Sequence, residues 1–246
     1  MQGKTVLITG GAKRVGAAIS RRLHAAGAQL VIHYRNSAQE ALALQIELNR
    51  QRANSVALVQ SDLLDCANMP ALIEATLHHF GRLDVLVHNA SSFYATPLGG
   101  INETNWLDLI GTNLKAPLFL AQAAAAELRR TQGAIIHITD IHGEFPMENY
   151  VVYSTAKAGL IGLTRSLALE MGPEVRVNAI SPGPILWPED DVHFDHASRE
   201  RIISHTLLKQ SGHPTDIAET VYFLAAKARY ITGQIINVDG GRSIRM

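Results

Sequence analysis

Three residues in the middle of the chain have the types and the spacing of an acid–base device. Asp140 lies thirteen residues before Tyr153, and Lys157 follows four residues after the Tyr within YSTAK. On a helix, Tyr153 and Lys157 would be one turn apart, so the ammonium could lie beside the phenol and favour its ionised form. Proton transfer would then come closer to neutral pH. An ordinary exposed pair on a helix has the same spacing. The rest of the sequence must therefore decide whether this pair is catalytic.

The amino terminus has the pattern of a nucleotide-binding turn. A short apolar run over residues 4–8 is followed by TGGAKRVG and then by apolar residues at helical spacing, which predicts a strand, a turn and a helix. Gly10 permits close backbone approach, Gly16 lets the helix pack on the strand, and the first N–H groups of the helix would face an anion. This glycine turn follows the first strand of a chain in which strands and helices alternate. That position favours a dinucleotide-binding turn over an ordinary tight connection between a strand and a helix.

Apolar, β-branched runs recur along the chain with helical patterns between them. They lie near residues 4–9, 29–34, 55–60, 83–88, 133–139, 175–180 and 234–238. The alternation predicts a single-domain Rossmann-type α/β fold over residues 1–246, a doubly wound parallel sheet of about seven strands with helices on both faces. Ligands of such sheets bind beyond the carboxyl ends of the strands, so the residues at those ends are the functional candidates.

The composition limits the classes of partner. Lys plus Arg equals Asp plus Glu at 22 each, and the charges are scattered, which argues against nucleic-acid and membrane surfaces and favours a small molecule. The single Cys66 excludes an internal disulfide, and no apolar run approaches the ~18 residues of a membrane span. The first strand leaves no room for a signal peptide, so we expect a cytoplasmic protein. The histidines lack converging ligands, so we expect no metal.

The end of the second predicted strand favours a phosphate. It reads His33, Tyr34, Arg35, Asn36 and Ser37, and the next acid is Glu40. An NAD enzyme usually has a carboxylate here to bind ribose hydroxyls, whereas Arg35 and Ser37, together with Arg14 from the glycine turn, can bind a 2′-phosphate. We therefore expect NADPH/NADP+ as cofactor, the alternative being a solvated basic loop.

Two further polar residues lie where a cofactor site would need them. Asp62, followed by Leu63 at the end of the third strand, could meet the adenine through its carboxylate and a backbone N–H, or could simply cap a turn. Asn113 lies within a predicted helix, where Asn is unfavourable unless its amide makes a hydrogen bond. We expect it to hold a water or a backbone group near Lys157, or to face a neighbouring polar group.

Together these residues resemble the short-chain dehydrogenase/reductase family over essentially the whole chain. The matching segments are Thr9 to Gly16, Asp62, Asn89-Ala90, Asn113, Tyr153 with Lys157, Arg176 to Gly183, and Val238 to Gly241. The resemblance implies that Tyr153 donates or accepts the proton, that Lys157 binds the nicotinamide ribose, that Asn113 supports a proton relay and that the protein is a homotetramer. The implied cofactor contacts are Gly10, Arg14, Val15, His33, Tyr34, Arg35, Ser37, Asp62, Leu63, Asn89, Ala90, Ser91, Tyr153, Lys157, Pro182 and Gly183.

Three departures from the common family pattern are informative. Arg14 and Ser91 stand where most members have Gly, and Asp140 stands where most have the catalytic Ser. With His33-Tyr34 and the segment NASSF, these residues resemble the pteridine reductase branch of the family. That resemblance implies that Phe93 stacks on a pterin held against the nicotinamide, with Ser91, Asp140 and Tyr153 along the polar edge.

The chemistry of Asp140 agrees with a pterin substrate. A Ser hydroxyl polarises a carbonyl, whereas a carboxylate accepts from ring N–H groups or, when protonated, supplies a proton to a ring nitrogen. An ionised Asp140 would also raise the Tyr153 pKa against the effect of Lys157 and keep the phenol protonated. We therefore expect NADPH-dependent reduction of a dihydropterin to the tetrahydro form. The alternatives are a carbonyl or 3-oxoacyl carrier reductase and a non-catalytic NADP(H)-sensing module.

The carboxyl-terminal third is expected to supply a lid at about residues 183–205. Pro184, Leu186 and Trp187 are candidate substrate contacts, although Trp187 could equally be a packing anchor, and the acidic run 189–191 follows. The Thr that commonly follows Pro-Gly in the family is absent, which puts the usual lid contact to the cofactor in doubt. Arg242 and Arg245 could approach a neighbouring subunit's site or belong to a frayed tail.

Overall fold

A computed structural model describes residues 1–187 and 194–245 and contains one parallel sheet of seven strands. The strand order is β3-β2-β1-β4-β5-β6-β7, so the chain reverses direction across the sheet between β1 and β4. The strands are β1 Thr5–Thr9, β2 Gln29–Tyr34, β3 Val56–Gln60, β4 Val85–His88, β5 Ala134–Ile138, β6 Arg176–Pro182 and β7 Ile235–Val238. Each begins and ends within two residues of its predicted run. The expected fold class is therefore confirmed.

Eight α-helices alternate with the strands over the described residues. They are α1 Arg14–Ala25, α2 Ala38–Gln51, α3 Met69–Phe80, α4 Glu103–Ile110, α5 Ala116–Thr131, α6 Val151–Met171, α7 His196–Ser204 and α8 Pro214–Ala226. A π-helical segment, Gly111–Lys115, joins α4 to α5, and a 3-10 turn, Ile141–Gly143, follows β5. Further 3-10 turns, Cys66–Asn68 and Arg242–Ile244, precede α3 and follow β7.

The core consists of two apolar layers, one on each face of the sheet. Val6 and Ile8 of β1 face one layer, which α1, α2 and α8 cover. Leu7, between them, faces the other layer, which α3, α5 and α6 cover. All five residues of β1 are buried, as expected for a strand covered on both faces. Because helices occupy both faces, a large ligand is expected to bind beyond the carboxyl ends of the strands.

No helix within residues 1–187 and 194–245 combines the length and the apolar character needed to span a lipid bilayer.

Candidate active site

A cavity of about 960 Å³ lies at the carboxyl ends of the strands. It is lined by all the predicted cofactor and substrate contacts: Gly10, Arg14, Val15, His33, Tyr34, Arg35, Ser37, Asp62, Leu63, Asn89, Ala90, Ser91, Phe93, Asp140, Tyr153, Lys157, Pro182, Gly183, Pro184, Leu186 and Trp187. Asn113 is the one predicted site residue that does not line it. The fold thus brings together predicted site residues that are as much as 177 positions apart in the sequence (Gly10 and Trp187).

Asp140 is held between a backbone turn and the predicted catalytic phenol. It follows β5, and its Oδ1 atom accepts a hydrogen bond of 2.9 Å from the His142 N–H at the start of the 3-10 turn. Its Oδ2 atom accepts a hydrogen bond of 2.8 Å from the Tyr153 hydroxyl. The carboxylate therefore has one oxygen committed to the local turn and the other to Tyr153.

Tyr153 and Lys157 lie on the first turns of α6 and are buried. Burial raises the pKa of Tyr153 well above its usual value, the charge and the hydrogen bond of Asp140 raise it further, and the Ser91 hydroxyl lowers it. Burial lowers the pKa of Lys157 to about 8, although the charge of Asp140 opposes this change. Asp140 raises the Tyr153 pKa, as predicted. The net pKa of Tyr153 is therefore raised, although the spacing of Tyr153 and Lys157 alone suggested that it would be lowered.

The Lys157 ammonium reaches under the phenol towards β5. Its Nζ atom donates a hydrogen bond of 3.1 Å to the Ile138 carbonyl and lies 5.6 Å from the centre of the Tyr153 ring. The ammonium is thus fixed at the floor of the cavity, where it can meet a hydroxyl-bearing ligand.

Asn113 does not line the cavity but binds Ser91, which does. It lies in the π-helical segment, a geometry that is rare and often associated with functional sites. Its Oδ1 atom accepts a hydrogen bond of 2.6 Å from Ser91, and its Nδ2 atom donates to the Ser92 and Leu109 carbonyls, each at 2.9 Å. Asn113 thus binds backbone groups, as expected. These groups are the carbonyls of Ser92 and of Leu109 on α4, and they do not belong to the surroundings of Lys157. Asn113 positions Ser91, which in turn lowers the Tyr153 pKa.

The glycine turn after β1 is packed too closely against neighbouring backbone to accept side chains at Gly10 and Gly16. A Cβ atom on Gly10 would lie 3.0 Å from the Ala90 Cα, and one on Gly16 would lie 2.1 Å from the Gly10 carbonyl oxygen. Gly10 also has a φ of +60°, in the left-handed region that favours glycine. The turn and the amino terminus of α1 therefore form a close backbone cradle of the kind that a pyrophosphate needs.

His33 is an internal support of that turn. Its Nδ1 atom accepts a hydrogen bond of 3.3 Å from the Gly10 N–H, so the remaining hydrogen is on Nε2, which donates to the Ser61 carbonyl at 3.0 Å. Burial lowers its pKa, in agreement with a neutral ring. Sequence reasoning assigned His33 to the cofactor itself. In the structure both ring nitrogens bind protein atoms, and the ring ties the ends of β1 and β3 together.

The β1–β2 end of the cavity is basic. Arg14 and Arg35 line it as predicted, and Lys13 lines it in addition. Arg14 also donates a hydrogen bond of 2.9 Å to the Trp187 carbonyl, which links the glycine turn to the lid. Asp62 accepts a hydrogen bond of 3.0 Å from the Leu64 N–H, so it caps a turn as its alternative interpretation predicted, while it also lines the cavity. These residues fit a dinucleotide that carries an extra phosphate.

The other end of the cavity has an aromatic wall. The Phe93 ring stacks on Tyr150 with centres 4.8 Å apart and contacts the Tyr153 ring edge to face, also at 4.8 Å. Phe194, from the described part of the lid, lies 6.3 Å from Phe93 and 5.7 Å from Trp187. Sequence reasoning missed Tyr150 and Phe194. The position of Tyr150 one helical turn before Tyr153 could have indicated it, whereas Phe194 lies in a loop without a periodic pattern.

Parts of the predicted lid fall outside the described residues. The acidic run 189–191 is among them, together with residues 188, 192 and 193. Arg242, which we expected near a neighbouring subunit or in a frayed tail, instead lines the cavity of its own subunit because the 3-10 turn after β7 directs the chain back over the strand ends. Arg245 does not line it.

The fold and the site define a class of protein: the chain belongs to the short-chain dehydrogenase/reductase family of oxidoreductases, whose members use nicotinamide cofactors. A family model described as enoyl-(acyl carrier protein) reductase matches residues 10–243. Among individual proteins, the chain is 38% identical to pteridine reductase 1 of Leishmania tarentolae, over 97% of this chain and 96% of the relative. It is 36% identical to the 3-oxoacyl-[acyl-carrier-protein] reductase of Staphylococcus aureus strain Mu50, over 97% of each chain.

An uncharacterized oxidoreductase of Methylorubrum extorquens is 33% identical over 98% of each chain. The two characterised relatives differ by only two percentage points of identity, 38% against 36%. Overall identity therefore does not choose between a pterin and an acyl carrier substrate, and the choice must come from the site.

Proposed function

We propose that this protein reduces a dihydropterin to the tetrahydro form with NADPH. The observation that carries the proposal is the hydrogen bond of 2.8 Å between the Tyr153 hydroxyl and Asp140. A carbonyl reductase needs a second hydroxyl donor at the substrate oxygen, where negative charge develops in the transition state. A carboxylate there would repel that charge, whereas it suits the N–H groups and the protonatable nitrogens of a pterin ring.

NADPH is the proposed cofactor because its groups match the residues of the cavity. The backbone cradle of Gly10 and Gly16 suits the pyrophosphate, Arg14, Arg35 and Ser37 suit the 2′-phosphate, and Lys157 suits the nicotinamide ribose. When bound, the nicotinamide would supply a hydride to a ring carbon of the substrate. The residues of this chain orient both molecules and manage the accompanying proton.

Tyr153 and Asp140 are the proposed proton source. The raised pKa keeps the phenol protonated at neutral pH, and its hydrogen already points at Asp140 Oδ2. The pair can therefore present one proton to the nitrogen adjacent to the reduced carbon. Ser91 lowers the Tyr153 pKa, and it can stabilise negative charge on the phenol oxygen when its single hydrogen turns from Asn113 Oδ1 to that oxygen. Charge on Lys157 beneath the ring favours the same outcome.

Phe93 is the proposed platform for the pterin. Its contact with Tyr150 fixes the plane of its ring, and Trp187 and Phe194 close the same end of the cavity. Flat heterocycles stack on such rings with offset or edge-on geometry. The aromatic wall also keeps water from the reacting atoms, which strengthens the electrostatic effects of Asp140 and Lys157.

The second candidate is a 3-oxoacyl carrier reductase, which the Staphylococcus relative favours at nearly the same identity. A non-catalytic NADP(H) sensor is a third, and the hydrogen bond of the buried Tyr153 to Asp140, with the buried Lys157 beside it, argues against it because a sensor needs no proton donor. NADPH oxidation measured with a dihydropterin, with an acetoacetyl thioester and with neither would separate the three. Turnover of the thioester alone would contradict the proposal, and turnover of neither would favour the sensor.

A cytoplasmic homotetramer is the proposed form of the protein. Large apolar side chains are exposed on α5 and α6, namely Leu118, Phe119 and Leu169, at 40%, 36% and 82%. An apolar surface of this kind supports an interface with other copies of the chain. Light scattering on the purified protein tests the assembly, and a monomer mass would contradict it.

A further inference from the structure

Two arginines line the substrate end of the cavity, and the proposed reaction does not use them. Arg201 lies on α7 and Arg242 in the 3-10 turn after β7. Arg242 Nη1 donates a hydrogen bond of 3.0 Å to the Ile202 carbonyl, which holds its guanidinium against the helix that carries Arg201. The two cations are close enough to repel each other, and burial together with this repulsion lowers the pKa of Arg242. Keeping two like charges together in a partly closed cavity has a free-energy cost that an anion would relieve.

Among the described residues, the carboxylates nearest this pair are hydrogen-bonded to backbone N–H groups. Asp239 attracts Arg242, but its carboxylate accepts hydrogen bonds from the Gly241 and Ser243 N–H groups at 2.9 and 2.8 Å. Asp195 attracts Arg201 and likewise binds the Ser198 N–H at 2.8 Å. Within residues 1–187 and 194–245, no carboxylate oxygen lies within 4.0 Å of either guanidinium. Asp140 and the exposed Glu148 are the other acids of the described residues that line the substrate end.

The topology separates this pair from the arginines proposed for the cofactor. Arg35 follows β2, whereas Arg201 lies on α7 after β6 and Arg242 follows β7, at the opposite end of the sheet order. Arg14 lies between them, because its guanidinium reaches the Trp187 carbonyl. Phe194 shortly precedes α7, the helix that carries Arg201, and its ring lies 5.7 Å from Trp187. A group bound there would therefore belong to the substrate and not to the 2′-phosphate.

We propose that Arg201 and Arg242 form a subsite for an anionic group, a carboxylate or a phosphate ester, at the end of the substrate's side chain. Guanidinium groups bind both anions through paired, charge-assisted hydrogen bonds. The inference rests on the proposed function, since it names the class of pterin that the same site takes. A pterin with a neutral side chain would fill the aromatic part of the cavity and leave the arginine pair unused.

The test compares three dihydropterins, with a neutral, a carboxylate-ended and a phosphate-ended side chain. Dissociation constants are measured on the NADP+ complex by quenching of protein fluorescence, and KM and kcat are measured with NADPH. The variants are Arg201→Gln and Arg242→Gln, with Arg245→Gln as control because Arg245 has the same charge, lies three residues from Arg242 and does not line the cavity. We expect each of the first two variants to weaken binding of at least one anionic pterin by at least about fivefold and to change binding of the neutral one less than twofold. High salt should reduce the wild-type preference.

Each outcome decides the proposal. Selective loss with the carboxylate, the phosphate or both supports the subsite and identifies the anion. Equal losses of affinity for neutral and anionic pterins would overturn the proposal and show that the arginines have a structural role. A selective loss of affinity for anionic pterins in Arg245→Gln alone would also overturn it, because the anion would then bind at the carboxyl terminus. Absence of any preference in the wild-type protein would also overturn it. If no dihydropterin is turned over, the proposed function fails, while the ratios of dissociation constants still decide the subsite.

Discussion

The hydroxyl of Tyr153 donates a hydrogen bond of 2.8 Å to Asp140 Oδ2, so the proposed proton donor is paired with a carboxylate. The Asp140 charge raises the pKa of the phenol, in addition to the larger effect of burial. The pair therefore favours a protonated phenol, which is the state that a reductase needs before it delivers a proton.

Asp140→Asn should lower the pKa of Tyr153 without removing the turn that residue 140 caps. An Asn oxygen can still accept from the His142 N–H, so the local backbone should persist while the charge is lost. Ultraviolet difference titration of the wild-type protein and the variant, each with and without Tyr153→Phe, isolates this phenol from the other five tyrosines. An unchanged titration would show that burial alone sets the Tyr153 pKa.

Arg35→Gln should reduce the preference for NADPH over NADH by about tenfold, roughly 1.4 kcal/mol, from a wild-type preference at least as large. Arg35 is exposed at the β2 end of the cavity, where its guanidinium can reach a 2′-phosphate. Steady-state kinetics with both cofactors measure the ratio, and Arg50→Gln on α2 serves as the control for loss of an exposed charge. Equal turnover of NADPH and NADH by the wild-type protein would refute the cofactor assignment.

Phe93→Ala should weaken dihydropterin binding by about 1 to 3 kcal/mol and change NADPH affinity much less, by analogy with stacking of bases on aromatic side chains. The structure gives this variant a second effect, because Phe93 also stacks on Tyr150 at 4.8 Å. Phe93→Leu restores most of the packing volume but not the flat ring, so it separates the two effects. Full pterin affinity in the Leu variant would assign Phe93 to packing.

The buried pair His88 and His137 should make the protein less stable in acid. Their ring centres are 5.0 Å apart on adjacent strands, and neither Nε2 atom has a hydrogen-bond partner within the described residues. Burial lowers the His137 pKa to about 3, assisted by the charge of Lys157, and lowers the His88 pKa well below its usual value. Below pH 6.5 the unfolded chain binds protons that the folded protein excludes, so stability falls as the pH falls.

His137 alone should destabilise the fold by about 1.7 kcal/mol between pH 6.5 and pH 5, and His88 should add to this loss. Denaturant unfolding at both pH values measures the loss, and His137→Asn should reduce it while His78→Asn, at an exposed position of α3, should not. A wild-type loss that both variants retain in full would contradict this account of the pair.

The strands and most of the cavity could be predicted because they depend on local patterns. Strands buried on both faces are continuous apolar runs, and the parallel order brings their carboxyl ends to one edge, so Gly10, Asp140 and Tyr153 could be placed together. The assignment of the whole chain to one domain and the individual roles of the site residues stay predictions.

The remaining features depend on contacts that no local pattern encodes. Arg242 enters its own cavity because the turn after β7 binds α7, through a hydrogen bond to Ile202 across 40 residues. His33 supports the glycine turn through Gly10 and Ser61, which lie on two other strand ends. Asn113 binds the 91–92 loop because the helix locally widens to a π turn at that residue. Such pairings follow from how distant segments pack.

The most direct test of the central claim is the substrate preference of Asp140→Ser. Ser can cap the same turn and donate to a carbonyl oxygen, but it carries no charge and cannot hold a proton for a ring nitrogen. The measurement is kcat/KM for a dihydropterin and for an acetoacetyl thioester, with NADPH titration as the control for an intact cofactor site. We predict a fall of about 10²-fold or more with the pterin and an equal or higher value with the thioester. Full pterin activity in the Ser variant would contradict the role of Asp140 and favour the 3-oxoacyl reductase.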